Sequence, residues 1–411
     1  MVFGIRVSYH DAQIAESKNY RQRPPVCPCA ACFDKEEHEK VRAACQSPAK
    51  ELRMPHGNRV SNPFSRRAVD GIGGIGAALT DGCTGCATVA MAPTVDSAIL
   101  EALGLDPQDS KQTSMGSGFS STFKLSGVKD GKDVNYFVKT GGGRDAEVMF
   151  AGEHESLNAI YNAVPNFCPK SHGHGQLQDS PGKFFLATDF LDMRSSAPAG
   201  SGLSLAQKLA KMHTTPAPTP EGFDGPMFGF PVPTCCGSTK QDNSWKETWA
   251  DFYANNRIRA IGKECVRSNG KDGEFEKAVE AVAGKVVPRL VGDDTVKGIK
   301  PVVIHGDLWS GNHGSGVIAG QGGTEEVVFD SSAVHGHSEY ELGVMKMFGG
   351  FGSSFWREYE KLVPKAEPKE EWDDRVALYE LYHHLNHFAI FGGGYRGGAM
   401  SIMKKLISKY G

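Results

Sequence analysis

The segment His305-Gly-Asp-Leu-Trp-Ser-Gly-Asn312 sets a carboxylate, Asp307, and an amide, Asn312, five residues apart. It fills every specified position of the pattern H-x-D-L-x-x-x-N, directly after the apolar run 301–304. A carboxylate placed there accepts the proton of an attacking hydroxyl, and an amide oxygen returning to the same pocket holds Mg²⁺, so the chemistry is phosphoryl transfer. Asp307 is the candidate base and Asn312 a candidate metal ligand. His305 is expected to be a buried support of the loop. Asp330 closes the next apolar run, Val327-Val-Phe329. Alone it could be a strand-ending turn residue, but after Asp307 and Asn312 it reads as the carboxylate that binds a metal bridging the β- and γ-phosphates.

A nucleotide clamp is legible upstream. The stretch 115–122, Met-Gly-Ser-Gly-Phe-Ser-Ser-Thr, carries Gly116 and Gly118, where backbone N–H groups can approach phosphate without interference from a Cβ. Lys139 lies in Phe137-Val-Lys-Thr140, and Glu153 falls between Phe150 and Leu157 in the apolar stripe of the next helix. A carboxylate in such a stripe needs a cation. Lys139 is the expected partner, oriented by it towards the α- and β-phosphates, the alternative being that Glu153 reaches solvent at the stripe's edge.

These residues require a small sheet followed by a helical lobe. Thr94 is expected to cap a short helix bearing Val95, Ile99 and Leu103. Alternating runs at 119–125 and 135–140 predict a hairpin turning at 129–132, followed by a helix from Asp145 and a strand over 184–191. The Ser-, Ala-, Pro- and Gly-rich stretch 194–202 reads as a linker. Beyond it the periodicity is helical over 203–213, 245–261 and 371–391, with a Pro-rich loop at 216–233 and two strands, 301–305 and 325–330. The predicted organisation is a lobe at 93–193, a helical lobe at 194–411, and a largely disordered extension at 1–92 that lacks sustained periodicity. Cys29-x-x-Cys32 and Cys83-x-x-Cys86 leave a short zinc module as the other reading of that extension.

The 411-residue chain carries a formal net charge of -3 with interspersed signs, which points away from nucleic acid and anionic membranes as partners. It shows no apolar run of the ~20 residues that span a bilayer. Its ten cysteines read as free thiols of a reducing, cytoplasmic setting rather than a disulfide scaffold. Gly306 stands where regulated protein kinases carry arginine, Asp330 is followed by Ser-Ser rather than Phe-Gly, and no Ala-Pro-Glu follows.

The segment Cys235-Cys-Gly-Ser-Thr-Lys-Gln-Asp-Asn-Ser-Trp245, continued by Trp249, Phe252 and Arg257, resembles the fructosamine-3-kinase and ketosamine-3-kinase family. So do Gly336-His-Ser-Glu-Tyr-Glu-Leu342, Met347-Phe-Gly-Gly-Phe351, Leu385-Asn-His387 and Gly394-Tyr-Arg396, and the likeness runs from about residue 93 to the C-terminus. The resemblance implies an α+β, protein-kinase-like two-lobed fold of the aminoglycoside phosphotransferase type. It implies ATP and Mg²⁺ as cofactors, and phosphorylation of the third-carbon hydroxyl of a ketosamine on a free amine or a glycated protein lysine, ribulosamine before fructosamine. It further implies an adenine-binding hinge at Asp189, Phe190 and Leu191, and a sugar pocket lined by Trp309, His337 and Glu339. Two departures stand out: the Gly-rich loop holds no cysteine, and Asp330 precedes serine where the family usually has proline. The competing expectations are a kinase of the same fold acting on an amino sugar or amino alcohol, and a non-catalytic binding protein, against which Lys139, Glu153, Asp307, Asn312 and Asp330 all argue.

Overall fold

The computed structural model describes residues 95–117 and 120–411. The expectations for 1–92, the paired cysteines within it, the Thr94 cap and Gly118 lie outside these residues. The first helix, α1 (Ser97–Leu103), is capped by Asp96, whose carboxylate accepts from the amide of Ala98 and also from Gln178 and Asp179. Asp96 thus caps the helix and ties it to a neighbouring loop.

Strands β1 (Lys111–Ser117), β2 (Ser121–Lys129), β3 (Lys132–Gly142), β4 (Ser171–Gln176) and β5 (Lys183–Asp189) form an antiparallel sheet in the order β1-β2-β3-β5-β4. The expected hairpin is β2–β3. Its two-residue turn, Asp130-Gly131, has φ of 53° and 71°, as a turn matched to right-handed strand twist requires. The strands β1 and β4 were not expected: polar and glycine residues mask their alternation, and pairing with β2 and β5 extends them.

Helix α2 (Gly143–Ala163) covers one face of this sheet and α1 the other. Side chains alternate along a strand, so Tyr136 and Val138 join Ile99 and Leu103 on the α1 side. Lys139 therefore points to the α2 side, beside its cross-strand partner Leu186, which packs on Ala146 and Phe150.

Strand β6 (Leu191–Asp192) pairs with β10, so the chain enters the helical lobe as part of a second, three-stranded sheet. That lobe comprises α3 (Leu205–Thr214), the ribbon β7 (Thr234–Cys236) and β8 (Thr239–Gln241), and a helical run of α4 (Trp249–Phe252), a π-helical segment (Tyr253–Arg259) and α5 (Ala260–Asn269). It continues with α6 (Gly273–Ala281), α7 (Val287–Val291), β9 (Val302–Ile304), β10 (His313–Ile318), β11 (Glu325–Val328) and β12 (Val334–Gly336). Helices α8 (Glu339–Phe348), α9 (Ser353–Leu362), α10 (Trp372–Phe391) and α11 (Arg396–Tyr410) complete it. The core gathers around α10, where Tyr340 and Tyr379 pack edge to face on Trp249 and Tyr253. Arg257, fully buried, bonds Asp242 O at 2.9 Å and Asn243 Oδ1 at 2.8 Å, which fixes the loop after β8.

Candidate active site

The catalytic loop follows β9, and its form is dictated residue by residue. Gly306 has φ +82°, and a Cβ there would collide with the carbonyl oxygen of Ser332, so only glycine fits between His305 and Asp307. His305 is fully buried; its Nδ1 accepts from the Asp307 amide at 3.3 Å while Nε2 donates to Phe329 O at 3.0 Å. Burial lowers its pKa, which suits this neutral tautomer, and it is a support rather than a participant. Beneath the loop, Glu341 accepts from the backbone amides of both His305 and Gly306. Burial alone would raise the Glu341 pKa, but His213 and the backbone amide donors outweigh it and hold the group ionised. Sequence reasoning missed this residue, although an acid inside the apolar run 340–345 is the same kind of signal that exposed Glu153.

Asp307 is half-buried, and Asn312 Nδ2 donates to its carbonyl oxygen at 2.8 Å. Asn312 precedes β10 and Asp330 follows β11, whose pairing of His313 with Val328 brings the two to the open end of one hairpin. The Phe329 amide donates to Asn312 O at 3.0 Å. Asp330 has φ +58°, a left-handed backbone that aspartate tolerates better than most residues. Such strain persists where neighbours over-determine it.

Lys139 is one point at which the two lobes meet. Its ammonium lies 2.7 Å from Glu153 Oε1 and 2.8 Å from Asp330 Oδ1. Burial would depress its pKa, but the two carboxylates more than compensate and raise it, so it is firmly cationic. The Glu153 pairing was expected and the Asp330 pairing was not. Helix α2 is held to the helical lobe by Ser156 Oγ, which accepts from Ala333 N at 2.9 Å, and by Gly152, where an added Cβ would meet Pro233 O at 2.7 Å.

Beside this centre a slot is lined by Phe137, Leu157, Pro169, Thr188, Leu191 and Phe329, with Lys139, Glu153 and Asp330 at its polar end. Of the expected hinge residues, Asp189 and Leu191 line the slot. The backbone of Phe190 is engaged elsewhere, its amide donating to Asn135 O and its carbonyl accepting from Ala319 N. In an antiparallel ladder bonded positions alternate, so Leu191, opposite Ile318, turns its N–H and C=O away from β10.

The three expected sugar-pocket residues separate. Trp309 is half-buried two residues after Asp307 and packs on Phe348 at 5.8 Å between ring centroids. The aromatic run continues through His387 to Tyr395. Glu339 is instead buried in a two-pronged pair with Arg375 at 2.7 and 3.1 Å, and also accepts from Ala366 N. Residues two apart on a helix face opposite ways, so α8 turns Glu339 towards α10 and Glu341 towards the catalytic loop. His337 is buried against Tyr379 at 2.9 Å, and its pKa is pushed down to about 4 by burial. Both side chains lie in the interior of the helical lobe.

The fructosamine kinase family model matches residues 91–409. The chain belongs to the fructosamine kinase family. Ketosamine-3-kinase of Mus musculus is 36% identical over 286 residues, spanning 66% of this chain and 87% of the relative. The chloroplastic protein-ribulosamine 3-kinase of Arabidopsis thaliana is 33% identical over 315 residues, spanning 77% and 89%. A crystal structure provisionally assigned as a fructosamine-3-kinase, from Thermobifida fusca, superposes with a TM-score of 0.58 at 23% identity, covering 76% of this chain and 98% of that one, and shares its fold. As a member of this family the chain is a two-lobed α+β kinase.

Proposed function

We propose that this fructosamine kinase family member transfers the γ-phosphoryl group of ATP to the third-carbon hydroxyl of ketosamines on amines or protein lysines, with ribulosamines preferred to fructosamines. The observation that carries the reading is the Lys139–Glu153–Asp330 bridge, with Asp330 next to Asn312 at the open end of the β10–β11 hairpin and Asn312 bonded to Asp307. A non-catalytic binder would not need that set of buried charges. Adenine fits the apolar slot against Asp189 and Leu191, and Gly116 is a candidate contact for the phosphates. The hard oxygen donors of Asn312 and Asp330 suit Mg²⁺. When bound, that ion would neutralise charge on the transferring phosphate. Asp307 then takes the proton of a hydroxyl held in line with the phosphate, and Trp309 forms a wall for the sugar.

The described residues contain four free thiols, Cys168, Cys235, Cys236 and Cys265, which supports a reducing compartment such as the cytoplasm. Among the described residues no helix is long and apolar enough to cross a membrane.

ATP turnover across ribulosamines, fructosamines, amino sugars and choline tests the proposal. Ketosamines should be turned over, and a pocket sized for a five-carbon sugar should favour ribulosamine in kcat/KM by about 10- to 200-fold, the range for a methylene-sized difference. Turnover restricted to amino sugars or choline would overturn the reading, whereas fructosamine preference would overturn the sugar ranking alone.

A further inference from the structure

Around the proposed base lie two donors that phosphoryl transfer does not use. Cys236 Sγ from β7, a ring nitrogen of His383 from α10 and a carboxylate oxygen of Asp307 all lie within 4.8 Å of one another. Cys236 and His383 are 2% and 1% exposed, while Asp307 is half-buried. Both ring nitrogens of His383 are buried with no hydrogen-bond partner, an arrangement folding normally avoids. The rings of Tyr340 and Tyr382 pack around it. The Cys236 thiol has a single long contact, from Asn386 Nδ2 at 3.4 Å.

We propose that Cys236, His383 and Asp307 form an inhibitory binding site for Zn²⁺. Thiolate, neutral imidazole and carboxylate are a ligand set that zinc takes in preference to magnesium. Burial pushes the His383 pKa down to about 3, leaving its lone pair available. Zinc–ligand bonds of roughly 2.0–2.3 Å require the donors to close by on the order of an ångström. As the Zn–S bond forms, the thiol releases its proton to solvent. A water would complete the fourth position of a tetrahedral ion. The Asp307 lone pair, now bonded to zinc, no longer accepts a proton from substrate. Inhibition rests on Asp307 being the base, whereas binding does not, and the kinetics of Asp307→Asn test the base separately.

Zinc content of the full-length chain, measured after equilibrium dialysis against micromolar Zn²⁺, tests the site in wild type, Cys236→Ser and His383→Asn. The cysteines before residue 95 are common to all three and cancel in the difference. Each variant should hold one zinc fewer and lose sensitivity to zinc in ketosamine phosphorylation by about tenfold or more. Inhibition of wild type should not be relieved by raising Mg²⁺. Equal zinc content in all three proteins would overturn the site. Relief by Mg²⁺ would also overturn it, by placing the ion at Asn312 and Asp330 instead. Melting curves report whether the variants fold. If they do not, anomalous scattering from wild-type crystals grown with equimolar zinc decides, since the account requires a peak bonded to Cys236 Sγ.

Discussion

At the scale of single residues, the site depends on charges held where water cannot screen them. Asp307→Asn should lower kcat by about two to four orders of magnitude while leaving the KM for ATP within a few-fold, because it removes a proton acceptor and not a phosphate contact. Steady-state kinetics with ATP and a ribulosamine check this, and near-wild-type turnover would remove Asp307 from the mechanism. Glu341→Gln tests the anchoring of the loop. Its folded pKa is depressed, so its stabilisation is present above the ordinary carboxylate value of 4.5 and is lost as pH falls through the lower folded value. Near neutral pH the variant should be less stable by about 1.5–3 kcal/mol, the range for hydrogen bonds to a charged group, and the gap should close in acid. Denaturant titrations at pH 7 and below pH 4 measure both, and a gap independent of pH would contradict the assignment.

At the scale of elements, parity and spacing decide which side chains meet. Strand alternation sends Lys139 to the α2 face, and helical spacing returns Glu153 to the same place, so this pair was legible in sequence. The motif around Asp307 was legible for a similar reason, being local in the chain. The burial and pairing of Glu339 and His337 were not legible, because their partners, Arg375 and Tyr379, lie on α10, distant in sequence, and no local pattern reports packing between α8 and α10. Glu339→Ala should therefore act on stability, at about 3–5 kcal/mol for a buried cation left unpaired, with little change in sugar KM in whatever protein remains folded. Calorimetry and kinetics separate these outcomes. Gly152→Ala offers a second test of packing. Alanine gains up to about 1 kcal/mol in helix propensity, but the close approach to Pro233 O costs about 1–3 kcal/mol and wins. A lower melting temperature and a raised KM for ATP are expected as α2 withdraws Glu153 from Lys139.

For the whole molecule, the lobes share a buried apolar cluster in which Leu157, Ile160 and Phe167 pack with Leu209, Met212 and Val303, and they are further tied by β6 against β10, Ser156 against Ala333, and Lys139 against Asp330. The two-lobed fold class was readable from a strand-forming pattern followed by a helical one. The edge strands β1 and β4 and the short strands β10 and β12 were not, since long-range pairing rather than intrinsic preference creates them. The family match begins at residue 91, so a chain lacking residues 1–92 should fold and retain activity. A loss of more than a few degrees in melting temperature would contradict this.

The central claim concerns where the phosphate goes. NMR and mass spectrometry of the product formed from ATP and a ribulosamine of a lysine analogue test it directly. The account predicts phosphate on the third-carbon hydroxyl, because Asp307 activates only the hydroxyl held in line with the γ-phosphate. Phosphate on any other hydroxyl would contradict it.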